Sequence, residues 1–239
     1  MPQTDSNVSG VLRPSGAAGS PEIRTRPSGR SGLEPARRDR LNPPVPTRAI
    51  TSELFHRVRT LIDANRIPNG DAPMVLATAA ADGTPSARFV LLKEIDARGF
   101  VFYTNLESRK GRDLTVNPRA ELLFYWPAVL HQLRIGGVVE KVDDATADAY
   151  WKTRARESQL SSAASPQSSP MTHAELAARI EALRKQCEGG DVPRPAHWTG
   201  LRLVPRSIEF WHAGEFRFHD RERFERREGD AWEGTPLAP

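Results

Sequence analysis

Residues 74–93 read MVLATAAADGTPSARFVLLK. Met74-Val75-Leu76-Ala77-Thr78 is an apolar run of strand length, Asp82-Gly83 is a hairpin turn signal, and Arg88-Phe89-Val90-Leu91-Leu92-Lys93 is the return strand. A hairpin turn commits its flanks to antiparallel pairing. Working outward, Asp96-Ala97-Arg98-Gly99 makes a second turn and Phe100-Val101-Phe102-Tyr103-Thr104 a third strand. Ala120–Trp126 and Leu130–Val142 supply two more. Connections this short describe a meander. The expected fold is therefore mainly β with flanking helices (α+β), an antiparallel, Greek-key-like sheet that is closed or nearly so.

Helices punctuate the pattern. Thr51 or Ser52 can cap a helix carrying Leu54, Val58, Leu61 and Ile62 at helical spacing. A short polar helix fits Glu107–Val116, ended by Asn117-Pro118 because the residue before proline avoids helical geometry. Asp143 or Asp144 can cap a helix through Tyr150 and Arg154. Residues 157–171 are Ser-rich with two prolines and read as a flexible loop. Thr172-His173-Ala174-Glu175 fits a capping box, followed by a buried stripe of Leu176, Ile180, Leu183 and Cys187 that Gly189-Gly190 stops. The chain then returns to strands at 201–203, 207–211, 216–219 and 223–227.

Composition divides the chain in two. Residues 1–48 hold eight of the 20 prolines and eight arginines against four acids, which accounts for the whole formal charge of +4. Such a Pro/Gly/Ser-rich segment cannot bury enough apolar surface to offset its ordering entropy, so a disordered basic tail is expected there. Residues 49–239 form the expected folded domain and are neutral overall, which argues against a nucleic-acid surface. Cys187 is the lone cysteine and the six histidines show no ligand spacing, so neither a disulfide nor a metal site is expected. No apolar run approaches membrane-spanning length and no secretory leader is evident, which points to a cytoplasmic protein.

Glycine-rich nucleotide loops and GxSxG elbows are absent from the sequence. The candidate chemistry lies in cations, hydroxyls and amides at element ends. Arg88 and Lys93 bracket one strand, and Ser108-Arg109-Lys110 opens the short helix, where free N–H groups and a partial positive charge favour an anion. Tyr103-Thr104 adds hydroxyls to that corner. Tyr150, Arg154 and Ser158 at i, i+4 and i+8 would share a helix face if the helix runs that far. Gln132, Gln167, Ser168 and Trp211 offer amides, a hydroxyl and an indole suited to a planar heterocycle, although a strand face and core packing account for Gln132 and Trp211 equally well. Arg217, His219 and Arg221 alternate, so in a strand they would point one way: an anion site, or simply an exposed basic strand.

Taken together, RFVLLK (88–93), FYTNLESRKGRDL (102–114), HQLRIGGVVEKV (131–142), YWKTRARESQ (150–159), SPQS (165–168), IEFW (208–211) and RFHDR (217–221) resemble the pyridoxamine 5′-phosphate oxidase family in collinear order. The resemblance implies an FMN-binding split β-barrel that works as a homodimer with FMN at the subunit interface. By motif, Arg88, Lys93, Tyr103, Thr104, Ser108, Arg109, Lys110, Gln132, Gln167, Ser168, Trp211 and Arg221 would contact FMN. Lys93, Tyr150, Arg154 and Ser158 would hold the phosphate of a phosphorylated pyridine substrate. Arg217 and His219 would act over the ring, as hydride passes from C4′ to the flavin and O2 is reduced to H2O2.

The sequence also departs from the family. An Arg-x-x-Tyr segment usual near the N-terminus has no counterpart, since residues 1–73 contain no Tyr. Arg154-Ala155-Arg156 stands for Arg-Pro-Arg, and Ser161-Ser162-Ala163 replaces a glycine- and Trp-containing segment. A phenazine-type flavin oxidase acting on another ring, or a non-catalytic binder of FMN or pyridoxal phosphate, is the alternative.

Overall fold

The computed structural model describes residues 50–239; the expected disordered tail lies outside them. In chain order the elements are α1 (Ser52–Ala64), β1 (Ala72–Ala79), β2 (Pro85–Leu92), β3 (Glu94–Asp96), β4 (Gly99–Asn105), α2 (Arg109–Val116), β5 (Arg119–Trp126), β6 (His131–Lys141), α3 (Asp144–Thr153), α4 (Arg156–Ala164), α5 (His173–Gln186), β7 (Trp198–His212), β8 (Asp220–Arg226) and β9 (Trp232–Pro236). Every strand pairing is antiparallel, in the order β2-β1-β5-β6-β7-β4-β3, with β8 on β7 and β9 on β8. The two ends of that order, β2 and β3, are neighbours in the chain, joined through Lys93. The Lys93 N–H donates to the Val101 carbonyl of β4 at 2.9 Å. The sheet thus curls round until its ends meet at this residue.

Burial explains the curl. β1 alternates, with Ala72, Met74, Leu76 and Thr78 pointing inward. On β4, Phe100 and Phe102 enter the main core while Val101 packs against Val142 and Ala147 on the other side. The inward layer of α1 is Leu54, Val58 and Ile62, and Thr51 caps that helix by accepting from the Leu54 N–H. Such a cap is worth about 1 kcal/mol.

Strand β7 is the spine. β6 pairs along its length, β4 takes its first half and β8 its second. Two separate strands, 201–203 and 207–211, are expected from the sequence. The structure runs them together. Gly137 faces Pro205 and Gly136 faces Ser207, so Arg206 is an extra residue in a bulge. Gly137 is needed there, since a Cβ would lie 2.2 Å from the Val204 carbonyl oxygen.

Other expectations are corrected. Residues 157–171 are not one loop: α4 covers the first half, anchored by fully buried Leu160, by Gln159 Nε2 donating to the Trp151 carbonyl, and by Arg156 donating to the carbonyls of Gly190 and Cys187. The stripe on α5 is half-buried, because Ile180, Leu183 and Cys187 pack on a satellite cluster around Trp151 and Trp198 rather than on the main core. Residues 216–219 are no strand. Glu215–Arg217 form a tight 3-10 turn with Phe216 at φ 52° and Arg217 at φ 67°. Arg217, His219 and Arg221 therefore do not share a strand face. Strand β9 was not foreseen.

Gly200 pairs with Tyr103 across β4 and β7, and a Cβ on it would sit 2.8 Å from the Tyr103 ring and 2.7 Å from Val142 Cγ2. The bare backbone lets that ring lie flat. Gly200→Val is expected to cost about 1–3 kcal/mol by overpacking, read as a lower melting temperature.

Candidate functional site

A cleft of about 300 Å³ opens beside β2, β4 and the α3–α4 junction. Tyr103 forms one wall. Its ring stacks on Tyr150 at 3.9 Å and lies parallel to Trp198 at 5.2 Å. The Tyr103 hydroxyl donates to Glu94 Oε1 at 2.9 Å, and burial, reinforced by that carboxylate, pushes its pKa well above the phenol range.

Cations face the same space. Lys93 Nζ, at the join of β2 and β3, is held by Asp71 at 2.8 Å, which draws the Asp71 carboxyl below its usual range. Lys110 Nζ donates to Gln167 Oε1 at 2.9 Å and to Ser108 Oγ at 3.2 Å. Burial, with the Arg88 charge adding, pushes Lys110 down to about 8. Arg154 donates from Nη2 to Ser162 Oγ at 2.9 Å, with its guanidinium 4.8 Å from the Trp198 ring and 5.2 Å from Trp151. Its Nη1 is buried without a partner, and burial lowers its pKa. Thr104 Oγ1 and Asn105 Nδ2, on the floor, are also buried and unpartnered. Three orphaned polar atoms in one cationic cleft is the signature of a site built for an anionic ligand.

The sequence-derived residues divide. Lys93, Tyr103, Thr104, Lys110, Tyr150, Arg154 and Gln167 line the cleft. Ser108 lies just behind it, fully buried, capping α2 by accepting from Gly111 N–H and donating to the Asn105 carbonyl at 2.7 Å. Arg88 is turned into the sheet, donating to the Leu76 carbonyl, Thr78 Oγ1 and Ser86 Oγ, with Asp113 at 3.8 Å. Arg109 is exposed at the helix start. Ser168 stands on the loop after α4 at φ 71°, beside a separate small cavity.

Ser158 does not share a helix face with Tyr150 and Arg154. Helix α3 ends at Thr153, Arg154 is extended, and α4 begins at Arg156. Ser158 is exposed, and Ser162 is the hydroxyl that meets Arg154. Sequence reasoning also missed Asn105 and Trp198, which face each other across β4 and β7. Asn105 lay inside a quoted motif; nothing in the sequence marked Trp198.

The remaining residues form a second group. Gln132, Trp211 and Arg221 are one cross-strand row on β6, β7 and β8. The His219 ring rests 4.7 Å from Trp211, and its Nδ1 accepts from the Gly214 N–H at 3.3 Å, which leaves Nε2 to carry the proton of the neutral ring. Trp211 and Arg221 line another cavity, of about 490 Å³. Within one protomer the two groups do not share a cleft.

A family model described as pyridoxamine 5′-phosphate oxidase matches residues 64–187. The chain belongs to the pyridoxamine 5′-phosphate oxidase family. A second model, the pyridoxine 5′-phosphate oxidase C-terminal dimerisation region, matches residues 198–239. A pyridoxine/pyridoxamine 5′-phosphate oxidase from Myxococcus xanthus is 50% identical over 198 residues, covering 82% of this chain and 93% of the relative. One of the same name from Azorhizobium caulinodans is 50% identical over 182 residues, covering 75% and 86%. Among solved structures, PhzG from Burkholderia lata 383, in complex with tetrahydrophenazine-1-carboxylic acid, is 35% identical with a TM-score of 0.70, covering 78% of this chain and 91% of that one. A pyridoxamine 5′-phosphate oxidase-related, FMN-binding protein from Nostoc punctiforme, 18% identical with a TM-score of 0.58, shares the fold over 78% of this chain and 94% of its own. As a pyridoxamine 5′-phosphate oxidase family member the chain is an oxidoreductase with a split-barrel fold; Trp211, His219 and Arg221 of the second group fall in the matched dimerisation region, and Gln132 falls in the first match.

Among the described residues no cluster of His, Cys, Asp or Glu could hold a metal, and no helix is long and apolar enough to cross a membrane.

Proposed function

We propose that this chain oxidises pyridoxine 5′-phosphate or pyridoxamine 5′-phosphate to pyridoxal 5′-phosphate, with FMN as cofactor and O2 as the electron acceptor, releasing H2O2 (and, from the amine, ammonia at the expense of one water). The observation that carries this reading is Arg154, a half-buried guanidinium whose Nη1 is buried and unpartnered, in a cleft that also holds Lys93 and Lys110. FMN held by the residues below would supply the redox chemistry, as hydride acceptor from C4′ and electron donor to oxygen.

The residues take roles by position. Lys93, Tyr150 and Arg154 line the cleft and bind the substrate phosphate; Ser158, exposed and outside that lining, is assigned with them on the motif alone, not by position. Lys110, Arg109, Arg88, Ser108, Thr104, Tyr103, Gln167 and Ser168 hold the FMN phosphate and ribityl chain; the orphaned Thr104 hydroxyl and the cationic start of α2 fit that load. Gln132, Trp211 and Arg221 of a second protomer complete the flavin site; the dimerisation-region match over Trp211 and Arg221, and the pairing of Gln132 with Trp211, support this division. Arg217 orients the substrate ring, and His219 donates a hydrogen bond from Nε2.

Lys110 gives this reading a pH signature. Below about pH 8 it is charged and attracts phosphate; above, the free protein holds it neutral. Because its folded pKa lies below the unfolded value, the burial penalty weighs on the free protein below pH 8 and is relieved as pH rises toward 10.5. A bound phosphate restores the charged form, so FMN binding takes up a proton above pH 8. FMN affinity is expected to fall by about tenfold between pH 7 and 9.5, and Lys110→Met to flatten that dependence, measured by flavin titration. A wild-type profile flat over this range removes Lys110 from the phosphate site.

A second reading, a flavin oxidase of a phenazine-type ring, is favoured by the 35% identity to the Burkholderia lata protein and by the lack of Tyr in residues 1–73. One experiment separates the two. Purified full-length protein loaded with FMN is given pyridoxine 5′-phosphate or tetrahydrophenazine-1-carboxylic acid, and aldehyde absorbance and peroxide are followed. One H2O2 per pyridoxal 5′-phosphate formed is expected. Turnover confined to the phenazine substrate selects the second reading, and flavin binding without either turnover overturns both.

A further inference from the structure

Glu209 sits mid-strand on β7, only 5% exposed, and its carboxylate is shared between two arginines. Arg134 is its ladder partner on β6, with Nη1 3.5 Å from one carboxylate oxygen. Arg221 on β8 donates to the other oxygen from Nε at 3.2 Å and from Nη2 at 2.9 Å. Arg134 is already tied to Glu121 of β5 at 2.5 Å. The charges thus run Glu121, Arg134, Glu209, Arg221 across four adjacent strands. A buried carboxylate needs a paired cation to persist, and Arg134 alone would supply one.

The hold on Arg221 is more specific than charge balance requires. Its Nη1 donates to the Ala238 carbonyl at 2.9 Å, and the Leu237 N–H donates back to the Arg221 carbonyl at 2.9 Å. Three of the five guanidinium N–H groups are consumed, which leaves one on each Nη nitrogen. Arg221 is also the ladder partner of Trp211, and both line the same cavity. A guanidinium gripped on its Nε side and at Nη1 has little rotamer freedom left to lose when a ligand arrives.

We infer that Glu209 is a positioning residue of the flavin site, acting through Arg221 to present the two remaining N–H groups of that guanidinium beside Trp211. The inference rests on the flavin reading above. The test is the FMN dissociation constant of the full-length protein, with melting temperature and the visible circular dichroism of bound flavin recorded alongside. Glu209→Gln is expected to weaken FMN by about tenfold and to alter the flavin dichroism. Arg221→Gln is expected to do the same, and the double variant to bind no more weakly than Arg221→Gln, within about threefold, because the two act as one unit. Arg134→Gln removes the other half of the buried pair; it is expected to lower the melting temperature while FMN affinity stays within about threefold of wild type. FMN affinity undiminished in Glu209→Gln, or a double variant clearly weaker than Arg221→Gln, overturns the inference while leaving the flavin reading intact. Should Glu209→Gln not fold, Glu209→Asp replaces it in the single and the double variant, with the same expected and overturning results. Wild-type protein that binds no FMN overturns the flavin reading and this inference with it.

Discussion

Replacing Arg154 with alanine is expected to raise the KM for pyridoxine 5′-phosphate by about 100-fold, with kcat changed far less. A charged hydrogen bond contributes about 1.5–3 kcal/mol, and two bonds from one guanidinium to a phosphate at the low end give a factor near 100. The phosphate lies away from the carbon oxidised, so the loss falls on binding shared by ground and transition states. Stability moves little. Arg154 has no carboxylate partner among the described residues, and burial already disfavours its charge. Its removal relieves that penalty while giving up the Ser162 hydrogen bond and the contacts with Trp198 and Trp151, worth about 0.5–1 kcal/mol each. Steady-state kinetics beside a thermal melt checks both parts. A KM within threefold of wild type would take Arg154 out of the substrate site.

Arg217→Ala is expected to lower kcat/KM by at least about 100-fold while flavin stays bound. The turn that carries Arg217 is exposed, with Phe216 94% and Phe218 81% accessible in the isolated protomer. Both Phe216 and Arg217 sit in the left-handed region, which costs an L-residue about 1–2 kcal/mol. Arg217→Gly separates chemistry from backbone: relief of that cost is expected to raise the melting temperature even as turnover falls. His219→Ala is expected to follow Arg217→Ala in losing turnover with flavin retained. Undiminished turnover in both alanine variants would end their assignment.

Much of the fold was legible because local signals agreed with the final pairing. Asp82-Gly83, Ser108 before Arg109 and the Thr172–Glu175 box each stand where the sequence put them. What was not legible depended on partners distant in sequence. Strands 201–203 and 207–211 read as separate because the bulge that carries the chain through Pro205 and Arg206 is made by Gly136 and Gly137 on β6. The serines of α4 outweighed Leu160, whose burial only the satellite cluster supplies. Alternation of Arg217, His219 and Arg221 suggested a strand, yet Gly214 approaches the Phe218 carbonyl so closely that a Cβ would lie 1.6 Å from it, and the chain turns instead. In the cleft, titratable and hydroxyl residues announced themselves by type. Trp198 and Ser162 matter through a stack and a single hydrogen bond, which composition does not encode.

The placement of β7 has a consequence for the newborn chain. Phe100-Val101-Phe102-Tyr103 finds its long-strand partner only in Gly200–Leu203, about 100 residues downstream. On a ribosome adding about 5–20 residues per second, that apolar edge waits some 5–20 s uncovered. Nascent-chain binding of a holdase is expected to concentrate on this segment and to lapse once β7 has cleared the exit tunnel.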